Sequence, residues 1–339
     1  MDSLTHVLIG STIGQAIAGK KYGGKALFWG AVAGSAPDVD SVFQWLFTPV
    51  NSLFFHRGIS HSLLFWVILS PLLAWLINKI HKGDKADFRS WLKLTSIAWF
   101  SHLFVDMFNT YGTGIFEPFS HQRVAFDSIN VVDVFFSFPL LIALILCFML
   151  KSVNRRRVAS VSALVLSTAY LCFTIVNKIG TEHSVEHQLA EQSVKFRRLL
   201  SSPLPLANLA WMITAEDSTG YWTGTYYNTS KNEINFEYIP KQDELSESFE
   251  GLRDFERLQT FTKGWYALQS NEDSAKNINE VTLYDLRFSS LSFTESERFV
   301  FRFTMQRDGD GMKVNRTRPI RYINGRNARE YCRKVFRRT

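Results

Sequence analysis

Long uncharged gaps are the feature that most constrains this chain. Residues 1–177 carry 14 Lys/Arg and 9 Asp/Glu, whereas residues 178–339 carry 24 and 22. Six apolar stretches fill the first half, at 4–18, 26–47, 63–80, 91–108, 131–150 and 158–176. A bilayer core of about 30 Å takes roughly 20 residues of helix, so each stretch is read as a membrane span. The expected fold is therefore a mainly α membrane domain of about six transmembrane helices over 1–177, followed by a soluble α+β domain over 178–339. With 29 Phe, 11 Tyr and 9 Trp the chain holds too much apolar surface to be disordered. Three cysteines exclude a disulfide framework.

Basic residues alternate between connections. Lys20, Lys21 and Lys25 lie in the first, Lys82, Lys85 and Arg89 in the third, and Lys151 and Arg155–Arg157 in the fifth. Only Arg57 and Arg123 lie in the second and fourth. The positive-inside rule then places loops one, three and five in the cytoplasm, and everything after residue 176 on the extracytoplasmic side of the cell membrane. The start Met1-Asp2-Ser3 lacks the basic region of a cleavable signal, so the first stretch is expected to stay in place.

Ionisable groups at membrane depth are costly and mark function by default. Here they are His6, Asp38, Asp40, His102, Asp106 and Asp133, with His56 and His61 just before the third stretch. With the helix directions above, all eight fall at the outer membrane face. His102 and Asp106 are four residues apart and share one helix face. Imidazole with carboxylate is a first-row transition-metal ligand set. Each group alone is more simply a cap, a turn or an interfacial residue. Together the Asp-x-Asp, His-x4-His and His-x3-Asp pairs favour a bound divalent metal, zinc first and manganese second, on His6, Asp40, His56, His61, His102 and Asp106. Asp38 or Asp40, whichever does not ligate, is the expected base. Arg57 is the cation placed to pair with a phosphate, with snorkelling to the interface as its plainer role. Thr5, Ser62, Tyr111, His121 and Asp127 are the expected supporting residues around the ligands.

Five blocks in order carry a resemblance over residues 1–133. They are Met1-Asp2-Ser3-Leu4-Thr5-His6, Ala36-Pro37-Asp38-Val39-Asp40, His56-Arg57-Gly58-Ile59-Ser60-His61-Ser62, Ser101-His102-Leu103-Phe104-Val105-Asp106 and Asn109-Thr110-Tyr111-Gly112-Thr113. They resemble the YdjM-like family of LexA-binding, inner-membrane-associated metal-dependent hydrolases, a name that itself rests on inference. The resemblance implies an inner-membrane hydrolase. A weaker likeness, to zinc-dependent phospholipase C and single-strand nucleases, implies phosphate-ester cleavage with His6, Asp40, His56 or His61, His102 and Asp106 as ligands. The second His-x3-acid helix of those enzymes has no counterpart, because Phe65 follows His61 at that spacing. One or two metals therefore fit better than three.

The second half reads as a helix over 182–200 broken at Ser202-Pro203-Leu204-Pro205. Strands follow at 209–215, 220–228, 234–239, 281–288 and 298–306, with an amphipathic helix at 246–262. Asp308-Gly309-Asp310-Gly311 reads as a hairpin turn. The tail from Lys313 to Thr339 has ten Lys/Arg against Glu330 and reads as a solvated basic face, not as a nucleic-acid surface.

The favoured function is a membrane-embedded metal-dependent hydrolase acting on a phosphoester or other ester of a lipid or lipid-linked substrate. The alternative is a non-enzymatic scaffold or regulator, with a structural metal and a protein partner on the soluble domain. A transporter is weakened by the absence of visible inverted repeats.

Overall fold

The structure is a computed structural model that describes all residues except 83–86, 206–207, 231–232, 274–277, 290–298, 310, 318–332 and 334–339. The chain divides into two compact units. One is Met1–Leu46 with Phe54–Val176, and the other is Phe47–Leu53 with Asn177–Thr339.

The first unit is helical. Its elements are α1 (Ser3–Tyr22), α2 (Gly24–Ser35), a 3-10 segment Ala36–Leu46, a 3-10 turn Ile59–His61, α4 (Leu63–Ile80), α5 (Phe88–Asp106), α6 (Val134–Met149) and α7 (Val153–Glu191), which contributes to both units; α3 (Pro49–Phe55) precedes the turn. Polar side chains start the helices by accepting orphan backbone N–H bonds. Asp2 caps α1 through Thr5 N at 3.1 Å, Ser62 caps α4 through Phe65 N at 3.1 Å, and Asp133 caps α6 through Phe136 N at 3.1 Å. Helices α1 and α2 touch backbone to backbone. A Cβ added at Gly10 would meet the Gly30 carbonyl oxygen, and one at Gly14 the Ala26 carbonyl oxygen. Small residues spaced by four allow this approach.

The expectation of about six membrane-spanning helices is overturned. Among the described residues only α4 and α7 are long and apolar enough to cross a membrane, and α6 is a shorter apolar helix. The physical reasons are local. Pro37 and the two aspartates end α2 after 12 residues, about 18 Å of helix against a core of about 30 Å, and turn the rest of that stretch into the 3-10 segment. Helix α5 carries Arg89, Lys93, His102 and Asp106, and α1 buries Thr12 and Gln15 against its neighbours.

The second unit holds two four-stranded antiparallel sheets, ordered β1-β2-β3-β4 and β5-β6-β7-β8. The first comprises β1 (Arg198–Pro203), β2 (Ala210–Glu216), β3 (Gly220–Tyr227) and β4 (Glu237–Pro240). The second comprises β5 (Tyr266–Asp273), β6 (Ile278–Asp285), β7 (Arg302–Asp308) and β8 (Gly311–Thr317). The helix expected at 182–200 ends instead at Glu191, and its tail pairs as β1 with β2, Leu200 opposite Thr214. Two helices, α8 (Asp243–Glu247) and α9 (Arg253–Thr262), replace the single one expected at 246–262. Asp308 pairs with Gly311 across the β7–β8 hairpin. Most of the basic tail lies outside the described residues.

Inside this unit Asp285 and Arg287 form a fully buried ion pair, Arg287 Nη2 to Asp285 Oδ2 at 2.7 Å, with the guanidinium 4.7 Å from the Phe261 ring centroid. Removing one partner of a buried pair leaves an uncompensated charge. Asp285→Ala should therefore cost about 3–5 kcal/mol, read as a lowered midpoint of thermal unfolding; an unchanged midpoint would refute the pair's importance. In the first unit, Gly10→Val and Gly30→Val should each lower the midpoint through overpacking of about 1–3 kcal/mol or more. Gly24→Ala should not act this way, because nothing lies within 4 Å of that position.

Candidate metal centre

Four segments of the first unit deliver the donors. The start of α1 brings His6, and the 3-10 segment brings Asp38 and Asp40. The turn before α4 brings His61, and the last turns of α5 bring His102 and Asp106. The contact of α1 with α2 places the Gly34 carbonyl where His102 Nδ1 donates to it at 2.7 Å. That bond leaves Nε2 of a neutral His102 ring as a bare lone pair. His61 is set the same way. Ser60 Oγ donates its proton to Asp40 Oδ2, so it can only accept from His61 Nδ1, at 2.9 Å. The two Nε2 atoms then face each other at 3.0 Å, both buried.

Two carboxylates complete this arrangement. Asp38 Oδ1 lies 3.5 Å from His61 Nε2 and 3.6 Å from His102 Nε2. Asp106 Oδ2 lies 3.7 Å and 3.6 Å from the same two atoms. A tetrahedral ion with ligand bonds of about 2.0–2.1 Å sets its donors about 3.3 Å apart. Five of the six distances among these four atoms, 3.0 to 3.7 Å, lie near that figure. Asp106 Oδ2 is buried and makes no hydrogen bond, with Arg57 Nε 3.2 Å away as its ion-pair partner. The residues present therefore fit a divalent ion.

Electrostatics agree with the geometry. Burial works against ionisation of Asp38 and Asp40, yet hydrogen bonds and charge from the neighbouring imidazoles hold both carboxyls well below the usual range. Burial likewise works against the His61 imidazolium, and the Asp38 and Asp40 carboxylates outweigh it and raise the ring's pKa. Three buried or half-buried carboxylates thus meet here, and positive charge is favoured between them.

The remaining expected residues surround this core. Asp40 stands behind His61, accepting from His56 Nδ1 at 2.8 Å and from the Arg57 backbone N–H at 3.2 Å. Ligand atoms of Asp38, Asp40 and His56 also lie within 4.8 Å of one another, a second, shallower donor set that shares Asp38 with the first. His6 stacks on His102 with ring centroids 3.6 Å apart, and its Nε2 is 3.2 Å from Asp106 Oδ1, which also pairs with the Met1 amino group. Arg57 is buried in a left-handed backbone conformation, φ 59°. Its guanidinium donates to Asn109 Oδ1 at 2.7 Å and to the Met1 carbonyl at 3.3 Å, with Nε 3.2 Å from Asp106 Oδ2. It is therefore turned toward Asp106 and held over the Tyr111 ring. Ser62 serves as the α4 cap, and Thr5 bonds Asp2 and Ser137. His121 is exposed and pairs with Glu117 at 2.9 Å, outside the donor cluster. Asp127 adopts φ 50° in the same connection and contributes no atom to the donor sets.

Reading the sequence placed Asn109 in a motif but gave it no role; it is fully buried and holds Arg57 while its side-chain oxygen also accepts from Tyr111 N. Its place three residues after Asp106, at the end of α5, was the available signal. Gly34 was missed because it acts through a backbone carbonyl, which no residue type announces.

Comparison with known proteins places this half of the chain. The family described as YdjM inner membrane protein matches residues 1–180. The uncharacterized protein YfhP of Bacillus subtilis (strain 168) is 24% identical over 313 residues, covering 86% of this chain and 88% of YfhP. The inner membrane protein YbcI of Escherichia coli (strain K12) is 31% identical over 123 residues, 35% of this chain and 69% of YbcI. No solved structure gives a significant match. The family match spans more than half of the chain and takes in every donor described above: the chain belongs to the YdjM inner membrane protein family.

Proposed function

We propose that this protein is a membrane-associated metal-dependent hydrolase of phosphoester or other ester bonds, acting on a lipid or lipid-linked substrate. One observation carries the reading: two buried imidazole Nε2 atoms 3.0 Å apart, with carboxylate oxygens of Asp38 and Asp106 3.5 to 3.7 Å from each. Nitrogens so placed share a proton or a cation, and a divalent ion can take the proton's place. Zinc suits a nitrogen and oxygen donor set of this size, and manganese is the second choice. When bound, a divalent ion supplies Lewis acidity and a water acidified toward neutrality.

The chain's own residues have distinct tasks in this reading. His61, His102, Asp38 and Asp106 hold the ion. Asp40 and Ser60 orient His61 from behind, as Gly34 orients His102, which is how outer partners set a ligand's tautomer. Arg57 and Asn109 hold the Asp106 carboxylate. Asp38 is shared with the half-exposed set of Asp40 and His56, where a second ion and the ester would meet solvent. That shallow set favours catalysis. The competing reading, a structural ion in a scaffold or regulator that binds a protein partner, draws on the four deep donors alone, since four protein ligands close a tetrahedron. Inner-membrane placement of the family supports a lipid environment. The extracytoplasmic placement of the site and of the second unit is part of this proposal, supported by the basic residues Lys82 and Arg89 after α4 and Lys151 and Arg155–Arg157 around the start of α7.

Metal analysis of the purified full-length protein should find zinc or manganese in stoichiometric amount. His102→Gln should lose it while its circular dichroism stays that of the parent; retained metal would sink the site. Asp40→Asn should weaken metal binding by about 10–100-fold, as loss of an outer-shell partner does, and should depress turnover of bis(p-nitrophenyl) phosphate. Equal turnover by this variant would argue against the assigned roles and for a structural ion.

A further inference from the structure

The 3-10 segment Ala36–Leu46 has two opposite characters. It delivers Asp38 and Asp40 inward to the donor cluster, and it turns large apolar side chains outward. Val39, Val42 and Trp45 are 56%, 64% and 79% exposed. A 3-10 helix has three residues per turn, so side chains at this spacing eclipse and form one stripe. Phe43 and Leu46 flank the stripe and are also exposed, and the run from Ser41 to Leu46 carries no charge.

The same pattern recurs on the other segments that build the site. Leu4, two residues before His6, is exposed, and its neighbour Ser3 Oγ lies 3.5 Å from Asp38 Oδ2. Ile59, two residues before His61, is exposed as well. Helix α4 starts just beyond His61, is apolar enough to span, and exposes Leu64, Val67 and Ile68. Asp38, the outermost of the four deep donors, is thus bordered by Val39 along the chain and by Leu4 beyond the Ser3 bond.

We infer that the stripe Val39–Val42–Trp45 is an interfacial anchor that lies in the headgroup boundary of the bilayer and presents the donor cluster to a lipid ester rather than to a solute. The occupant is lipid because the chain belongs to an inner membrane family and α4, the candidate span that follows the site, exposes apolar side chains as the stripe does. Tryptophan favours that boundary, where its ring is apolar and its N–H stays wet. An uncharged apolar stripe binds an interface through buried apolar area. The anchor concerns membrane contact alone; the identity of the substrate rests on the hydrolase reading above.

The test uses the full-length protein reconstituted into phosphatidylglycerol vesicles whose acyl chains carry bromine. The fluorescence of the parent minus that of Trp45→Phe isolates Trp45. A blue-shifted difference spectrum quenched by bromine is expected. A red-shifted, unquenched one would overturn the anchor, whether or not the protein is an enzyme. A second variant, Val42→Ser/Trp45→Ser, should keep the parent's bound metal and its turnover of soluble bis(p-nitrophenyl) phosphate, and should lose about tenfold or more on vesicle phosphatidylglycerol. Equal rates on vesicles would overturn presentation by the stripe. If the parent cleaves neither ester, the hydrolase reading fails and the difference spectrum still decides the anchor.

Discussion

Unshielded repulsion among buried donors is the constraint on which the first unit depends. The Nε2 atoms of His61 and His102 lie 3.0 Å apart, and carboxylate oxygens of Asp38 and Asp106 lie 3.5 to 3.7 Å from them. No fold tolerates such convergence without positive charge, because the low dielectric of the interior magnifies it. Part of the compensation is covalently present, in Arg57 and the Met1 amino group beside Asp106. A proton on His61, whose pKa the carboxylates raise, or a cation between the donors supplies the rest. Everything around it serves to hold ring tautomers: a backbone carbonyl from α2 for His102, and a serine and an aspartate for His61.

That holding depends in turn on backbone contact between α1 and α2. Glycines at 10, 14 and 30 let the two helices approach until carbonyl oxygens sit where side chains would otherwise be. Only then does the Gly34 carbonyl come within reach of His102 from α5, and only then does His6 stack on the His102 ring. Packing and chemistry are one arrangement here. The 3-10 segment that follows α2 then joins the site to the surface, since it presents acids on one side and an apolar stripe on the other.

Much of the donor cluster was legible in the residues themselves. Asp-x-Asp after a proline, His-x4-His before an apolar helix and His-x3-Asp at a helix end each carry spacing that survives folding. Reading all six apolar stretches as spans failed for a reason of scale. Apolarity over some twenty positions does not reveal that Pro37 stops a helix after 12 residues, or that the polar groups of α1 and α5 turn inward onto a shared core. In the second unit, alternation found β2 and β3, but β1 was absorbed into the preceding helix. Residues 198–203 gain strand character only from pairing with β2, a contact the local pattern does not encode.

The sequence by itself determined the division into an apolar helical half and a charged β-rich half, and it named the imidazoles and carboxylates that meet. Composition and spacing carry that information because they act within a helical turn or a strand. Tertiary structure alone decided which donors come together, that Arg57 turns toward Asp106, and that Asn109 and the Gly34 carbonyl complete the support. Those roles are set by distances of about 3 Å between segments far apart in the chain, and such distances exist only once helices pack.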